Sequence, residues 1–142
     1  MYFIDGSLSM EKEPTTSVGN IYKATQTGSQ IKDDPLGYYL IAMYYEDIYA
    51  KLSAELKAKV TAKTISDADI KKDQAKINGV IDLMMDAYAR TCKRAEATKH
   101  PNYGNWKARL DQVYKFRKGS DAGFAEYMTQ TNAAPLPDPT KF

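Results

Sequence analysis

The sequence has 142 residues, of which 43% are hydrophobic and 27% are charged. A chain of this length fits one domain that can bury enough surface for a stable core without cross-links. Its 20 basic and 18 acidic residues nearly balance, whereas an electrostatic nucleic-acid binder normally carries a clustered basic face. We therefore expect a single folded domain that does not bind nucleic acid.

Residue types that form catalytic and metal sites are scarce. One cysteine, Cys92, and one histidine, His100, exclude an internal disulfide, a cysteine-cluster metal site and ligation by a histidine pair. Cys92 belongs to an apolar helical stripe, where a free thiol is usually buried. His100 precedes Pro101, and a cap or loop role is expected there. The sequence predicts no catalytic residue, no cofactor and no metal, and so a protein that is not an enzyme.

Acidic residues come in close pairs that helix geometry explains. Acids at the start of a helix stabilise its dipole, and pairs four residues apart on a solvent-facing side need no catalytic role. We assign structural roles to all four pairs, which are Asp33–Asp34, Glu46–Asp47, Asp67/Asp69 and Asp82/Asp86.

The chain as given shows neither a leader nor a membrane span. It begins Met-Tyr-Phe-Ile-Asp, without the basic and apolar regions of a signal peptide. No apolar run approaches the ~20 residues that cross a bilayer. The expected protein is soluble, and its compartment is left open between the cytoplasm and the periplasm.

Residues 1–34 differ in composition from the rest of the chain. Glycine, proline, serine and threonine recur there, and no helical period is sustained. We predict an extended, irregular N-terminal arm with at most a short helical turn near residues 21–24. Its many apolar residues predict that it lies against the helical body or a partner.

A long helix is predicted to start at Asp34, a good N-cap, followed by Pro35 at the first helical position. It runs to about residue 63 by the persistence of the helical pattern. Its first half, residues 36–45, is apolar on nearly every side, which predicts burial on every side. Its second half alternates alanine with lysine and keeps one apolar stripe of Leu52, Leu56 and Val60.

A second long helix is predicted from an N-cap at Ser66 to about residue 98. A short connection makes the two long helices an antiparallel hairpin. The apolar face of the second helix is a row at helical spacing, formed by Ile70, Ile77, Ile81, Met84, Tyr88, Cys92 and Ala95.

Two shorter helices follow. Asn102 or Asn105 can cap a helix over residues 106–118, which Gly119 ends. Ser120-Asp121 opens a fourth helix to about residue 131, and a proline-rich tail closes the chain. The predicted fold is all-α, with about four helices, two long and two short. Its organisation is an arm at 1–34, a helical domain at 35–132 and a tail at 133–142.

The tyrosines are the feature that a helical core explains least. Eleven occur in the chain, and five of them lie within residues 38–49. Tyrosine suits both half-buried positions and protein interfaces, because its ring is apolar and its tip is polar. The choice between core boundary and interface stays open. The candidate partner-binding residues are Tyr38, Tyr45, Tyr49 and Trp106.

The second half of the chain resembles the C-terminal end of bacterial tetratricopeptide-repeat proteins. The similar segments are Asp-Ala-Tyr-Ala-Arg at 86–90, Tyr-Gly-Asn-Trp at 103–106, Val-Tyr-Lys-Phe-Arg at 113–117, Gly-Ser-Asp-Ala-Gly at 119–123 and Pro-Leu-Pro at 135–137. The resemblance implies helical hairpins that serve as a scaffold for protein contacts. The long helices exceed the size of such a repeat, and no array with a period of about 34 residues is present. No functional residue carries over.

These features predict a non-catalytic protein–protein interaction module, or a small accessory or structural subunit of a larger assembly. Two alternatives stay open. One is a peripheral subunit docked on a membrane complex through Lys51, Lys57 and Lys59 with Tyr45 and Tyr49. The other is a small-molecule binder or enzyme with a pocket between the helical hairpins, around Trp106 and the tyrosines. The partner and the oligomeric state do not follow from the sequence.

Overall fold

The computed structural model of the chain describes residues 14–26 and 34–141. Within these ranges the protein is all-α and holds no strand, which confirms the predicted fold class. The helices are α1 (Pro14–Gln26), α2 (Pro35–Ala62), α3 (Asp67–Ala97), α4 (Tyr103–Lys118) and α5 (Phe124–Ala133), followed by a 3₁₀ turn at Pro139–Lys141.

Helix α1 lies where the sequence predicts an irregular arm, so that prediction is wrong for residues 14–26. Val18 and Ile21 are fully buried, and α1 packs on α2 and on the C-terminal 3₁₀ turn. The local sequence is a weak helix former, and tertiary packing of its apolar side stabilises it. The rest of the predicted arm, residues 1–13 and 27–33, lies outside the described residues.

Helices α2 and α3 form the predicted antiparallel hairpin. The Asp34 carboxylate accepts a hydrogen bond from the Leu36 N–H at 2.9 Å. The Ser66 hydroxyl accepts one from the Asp69 N–H at 3.2 Å. Both predicted caps are thus confirmed, because each satisfies a backbone donor that the helix itself leaves unpaired.

The C-terminal half of α3 is the centre of the fold, since α2, α4 and α5 all pack against α3. Of the predicted apolar row, the five residues from Ile81 onward are buried, whereas Ile70 and Ile77 are half-buried. Burial also extends beyond that row to most sides of the helix. The buried residues of α3 are Val80, Ile81, Met84, Met85, Ala87, Tyr88, Ala89, Arg90, Thr91, Cys92 and Ala95.

Helix α2 is buried on one side rather than all round, so the prediction for its first half is wrong. Ile41 and Tyr45 face the core, at 0% and 2% exposure. Leu36 and Met43 are 38% and 40% exposed on the opposite side. Among the described residues, neighbouring helices cover α2 on its inner side only.

The third predicted helix is confirmed as α4, which ends at Gly119 with a φ of 82°. Asn102 occupies its N-cap position, but its side chain makes no capping hydrogen bond. Its backbone N–H instead donates to His100 Nδ1 at 3.0 Å. This contact confirms the loop role predicted for His100.

Helix α5 begins at Phe124, three residues later than predicted from Ser120-Asp121. The Ser120 hydroxyl accepts from the Ala122 N–H at 3.3 Å. Gly123 then turns the chain at a φ of 77°. This tight turn occupies the residues that the sequence assigns to the start of the helix.

The proline-rich tail is anchored to α3 by a buried arginine. Arg90 is 4% exposed and donates to the backbone oxygens of Ala134 at 2.9 Å and Pro135 at 3.0 Å. Its Nε lies 2.7 Å from the Asp86 carboxylate. Burial raises the pKa of Asp86, against the opposing effect of Arg90. The prediction that Asp86 faces solvent is wrong, because α5 and the tail cover that side of α3.

Replacing Arg90 by methionine should lower the free energy of unfolding by about 3 kcal/mol, because it strands a buried carboxylate and two carbonyl groups. The matched control is Lys51→Met, since Lys51 pairs with Asp47 at 3.3 Å on the open surface. That change should cost less than about 0.5 kcal/mol. Urea denaturation followed by circular dichroism measures both. Equal losses in the free energy of unfolding for the two variants would contradict the anchoring role of Arg90.

Candidate interaction surface

The structure places most of the predicted partner-binding residues in the core. Tyr38 is 3% exposed, Tyr45 2% and Trp106 6%. Trp106 is packed between His100 and Tyr39, with ring centroids 4.7 and 5.0 Å apart. Tyr49 is half-buried and retains part of its surface. The four residues therefore do not form one exposed patch.

Two further side chains with reactive groups, Arg109 and Cys92, are engaged or buried. The Arg109 guanidinium bridges α4 to α2 by donating to Glu46, with its Nε at 2.9 Å. Cys92 is 1% exposed, and burial raises the pKa of its thiol to about 12. Among the residues that the structure describes, no three His, Cys, Asp or Glu side chains form a group that could hold a metal ion.

The most distinctive surface is the far end of the α2–α3 hairpin, here called the hairpin arm and defined as residues 50–79. None of these residues is fully buried. Helix α4 stops at the base of the hairpin arm, where Arg117 Nε lies 3.0 Å from the Asp82 carboxylate. At ~1.5 Å per residue, the two helices continue for about 20 Å beyond that point.

One side of the α2–α3 hairpin, from the base of the hairpin arm to its tip, carries a row of uncharged residues at helical spacing. On α2 the row consists of Tyr49, Ser53, Leu56 and Val60, with steps of four, three and four residues. On α3, the buried Ile81 lies at the cavity beside Tyr49, and Gln74 and Asn78, seven and three residues before it, share its side of the helix by helical spacing. Val60 is the most exposed apolar member of this uncharged row, at 47%.

The other side of the hairpin arm is strongly charged. Its surface residues include Glu55, Lys59, Asp73 and Lys76. Lys59 Nζ and the Asp73 carboxylate lie 3.4 Å apart, and their side chains are 50% and 35% exposed. Such exposed pairs contribute little stability and leave the charged side well hydrated.

A cavity opens at the base of the hairpin arm, where the uncharged row meets the end of α4. Its volume is about 140 Å³. Phe116 stands at its edge with 71% of its surface exposed. The lining is mainly apolar and consists of Tyr49, Ile81, Met84, Val113 and Phe116, with Arg109 and Gln112. A cavity of this size admits a side chain as large as a benzene ring.

Sequence reasoning finds part of this surface and misses the rest. The stripe of Leu56 and Val60 is visible as helical spacing. Phe116 carries no comparable signal, because its exposure depends on how α4 lies against the hairpin. Arg90 is also missed, although the acidic residue four positions earlier, Asp86, is the pattern of a helical ion pair.

The chain matches no protein-family model, no curated protein sequence and no solved structure. The resemblance to tetratricopeptide-repeat proteins stays a prediction. Within the described part of the chain, no helix is both long enough and apolar enough to cross a membrane.

Replacing a leucine by alanine should lower the free energy of unfolding far less in the hairpin arm than in the rest of the helical domain. Leu110 in α4 is fully buried, and Leu110→Ala should destabilise the protein by about 3 kcal/mol. Leu56 is only half-buried, so Leu56→Ala should cost less than about 1.5 kcal/mol. Urea denaturation of both variants checks this. A larger loss for Leu56→Ala would show that the hairpin arm is part of the stabilising core.

The thiol of Cys92 should be unreactive in the folded protein. Thiolate is the reacting species, and the raised pKa together with burial keeps it scarce and inaccessible at pH 8. Ellman's reagent should modify Cys92 only when the protein unfolds in urea. Rapid modification without denaturant would contradict the packing of α3 around this residue.

Proposed function

We propose that this protein is a non-catalytic interaction module, acting as a structural or accessory subunit that binds other helices through its hairpin arm. The observation that carries the proposal is that residues 50–79 are ordered as two helices although none is fully buried. Ordering a residue costs about 1–2 kcal/mol of backbone entropy. Helical segments of this length gain little stability without tertiary packing.

The apolar residues of the hairpin arm support this function. Two paired helices shield Leu52, Leu56 and Ile77 only in part, and Val60 stays largely open to solvent. A helical repeat hairpin likewise cannot bury its apolar face until a neighbouring hairpin stacks on it. The resemblance to tetratricopeptide-repeat proteins therefore favours the same interpretation, with a partner in place of the neighbouring hairpin.

The burial of Tyr45 counts against a lipid-facing surface formed by Lys51, Lys57 and Lys59 with Tyr45 and Tyr49. Lys51 pairs with Asp47, and Lys59 pairs with Asp73. Tyr45 is buried against the core and is not available beside these lysines. A surface suited to anionic lipids would instead present exposed aromatic rings beside its lysines.

The proposal is tested in cells that produce the protein naturally, with a tag added to the chromosomal copy. The wild-type chain should elute from size-exclusion chromatography of a gentle extract well above the size of a monomer. The double variant Leu56→Glu with Val60→Glu should elute as a monomer, because two carboxylates in the uncharged row oppose burial of that row.

The matched control is Ala54→Glu with Ala58→Glu, which adds the same charges to exposed positions elsewhere on α2. It should leave the elution volume unchanged. Circular dichroism of each purified variant establishes that it is folded. Elution of the wild-type chain as a monomer would overturn the proposed function, and so would an assembly that withstands the double variant in the uncharged row.

A further inference from the structure

We propose that the helices bound by the hairpin arm belong to a second copy of this chain. This inference rests on the proposed function and names its partner. Two hairpin arms pair side by side in opposite directions about a two-fold axis. Val60 of each copy enters the cavity at the base of the other hairpin arm, beside Tyr49 and Phe116.

The uncharged side of the hairpin provides both parts of this contact, the projecting side chain and the cavity that receives it. Val60 is an exposed apolar side chain near the tip, and the cavity of about 140 Å³ lies at the base. Tyr49 and Val60 are eleven residues apart, which is three helical turns and places them on the same side of α2. When the second copy runs antiparallel, Val60 of each copy lies at the cavity of the other copy. The interface is then self-complementary.

Charge distinguishes this side of the hairpin arm as the one suited to self-association. A residue that lies on a two-fold axis meets its own counterpart, so a charged residue at the axis would meet a like charge. The axis passes between Ser53 and Leu56, and the neighbouring Gln74 and Asn78 on α3 are also uncharged. The charged side of the hairpin arm offers no such uncharged row.

The size of the hairpin arm suffices for a weak but specific dimer. Two helices from each copy form an antiparallel four-helix bundle, a common packing arrangement for helices. Contact along about 20 Å of both hairpin arms buries on the order of 1,000 Å² in total, the size at which specific interfaces begin. An interface at this lower limit of size is typical of weak, transient association, and we expect a dissociation constant in the micromolar range.

The first experiment uses the purified full chain alone, with light scattering coupled to size-exclusion chromatography. Wild-type protein at about 100 μM, well above a micromolar dissociation constant, should have the mass of a dimer. Val60→Glu should have the mass of a monomer and a wild-type circular dichroism spectrum, because Val60 is not needed for the core. Ala58→Glu, an exposed position on another side of the same helix, should remain dimeric.

The second experiment places a cysteine beside the proposed axis. Ser53→Cys should form a disulfide-linked dimer under mild oxidation, because the two copies of residue 53 approach each other there. Ala58→Cys, pointing away from the axis, should stay uncross-linked. The native Cys92 does not interfere, since it is 1% exposed.

Three results would overturn the proposal that the partner is a second copy of this chain. They are a monomeric wild-type chain at about 100 μM, a dimer unaffected by Val60→Glu, and cross-linking of Ala58→Cys in preference to Ser53→Cys. The purified chain could be a monomer and still form, in the native extract, an assembly that the double variant Leu56→Glu with Val60→Glu disrupts. In that case the partner is another protein and the proposed function stands. A dimer that resists Val60→Glu shows that copies meet elsewhere.

Discussion

The difference in length between the helices determines the shape of this protein. Helices α2 and α3 have 28 and 31 residues, whereas α4 has 16. A pair of helices cannot enclose its own apolar stripe, so full burial requires a third helix. Helix α4 supplies it only along the C-terminal half of α3. The core therefore ends near Val80, and the remainder of the hairpin projects with its apolar residues partly open.

Short elements are fastened to the long hairpin by specific polar contacts as well as apolar packing. Arg90 holds the tail through two backbone oxygens. The Tyr114 hydroxyl donates to the Ala122 oxygen at 2.7 Å, across the turn before α5. Arg109 joins α4 to Glu46 on α2. Each contact satisfies groups that burial would otherwise penalise. These contacts fix the positions of α4, α5 and the tail on the α2–α3 hairpin.

The sequence predicts those features that local chemistry decides. Asp34, Ser66 and Gly119 are recognisable because caps and left-handed helix ends depend on a few neighbouring residues. The hairpin and the all-α class follow from helical spacing over long segments. Helix α1 is not predicted, because its stability comes from packing on α2 and on the distant C-terminal turn.

The candidate surface is predictable only in part, for a physical reason. Spacing alone identifies the row of Leu56 and Val60, but it does not distinguish a row covered by another helix from an open one. Tyr45 and Tyr49 share one side of α2, yet Tyr45 is buried and Tyr49 borders the cavity. Tyr45 lies near Asp86 and Asp138, on the side that the tail covers, whereas Tyr49 lies beside α4 at the base of the hairpin arm. Tertiary contact, absent from any local pattern, decides which apolar residues remain available.

The residues that stabilise the fold differ from those that would bind a partner. A substitution at Ile81 or Leu110 acts on the close-packed core, where even one methylene group affects stability. A substitution at Val60 acts on a side chain that is 47% exposed, and surface changes of this kind seldom alter stability by much. Residues of the uncharged row can therefore be substituted without unfolding the rest of the helical domain. The proposed contacts and the stability of the fold would therefore depend on different residues.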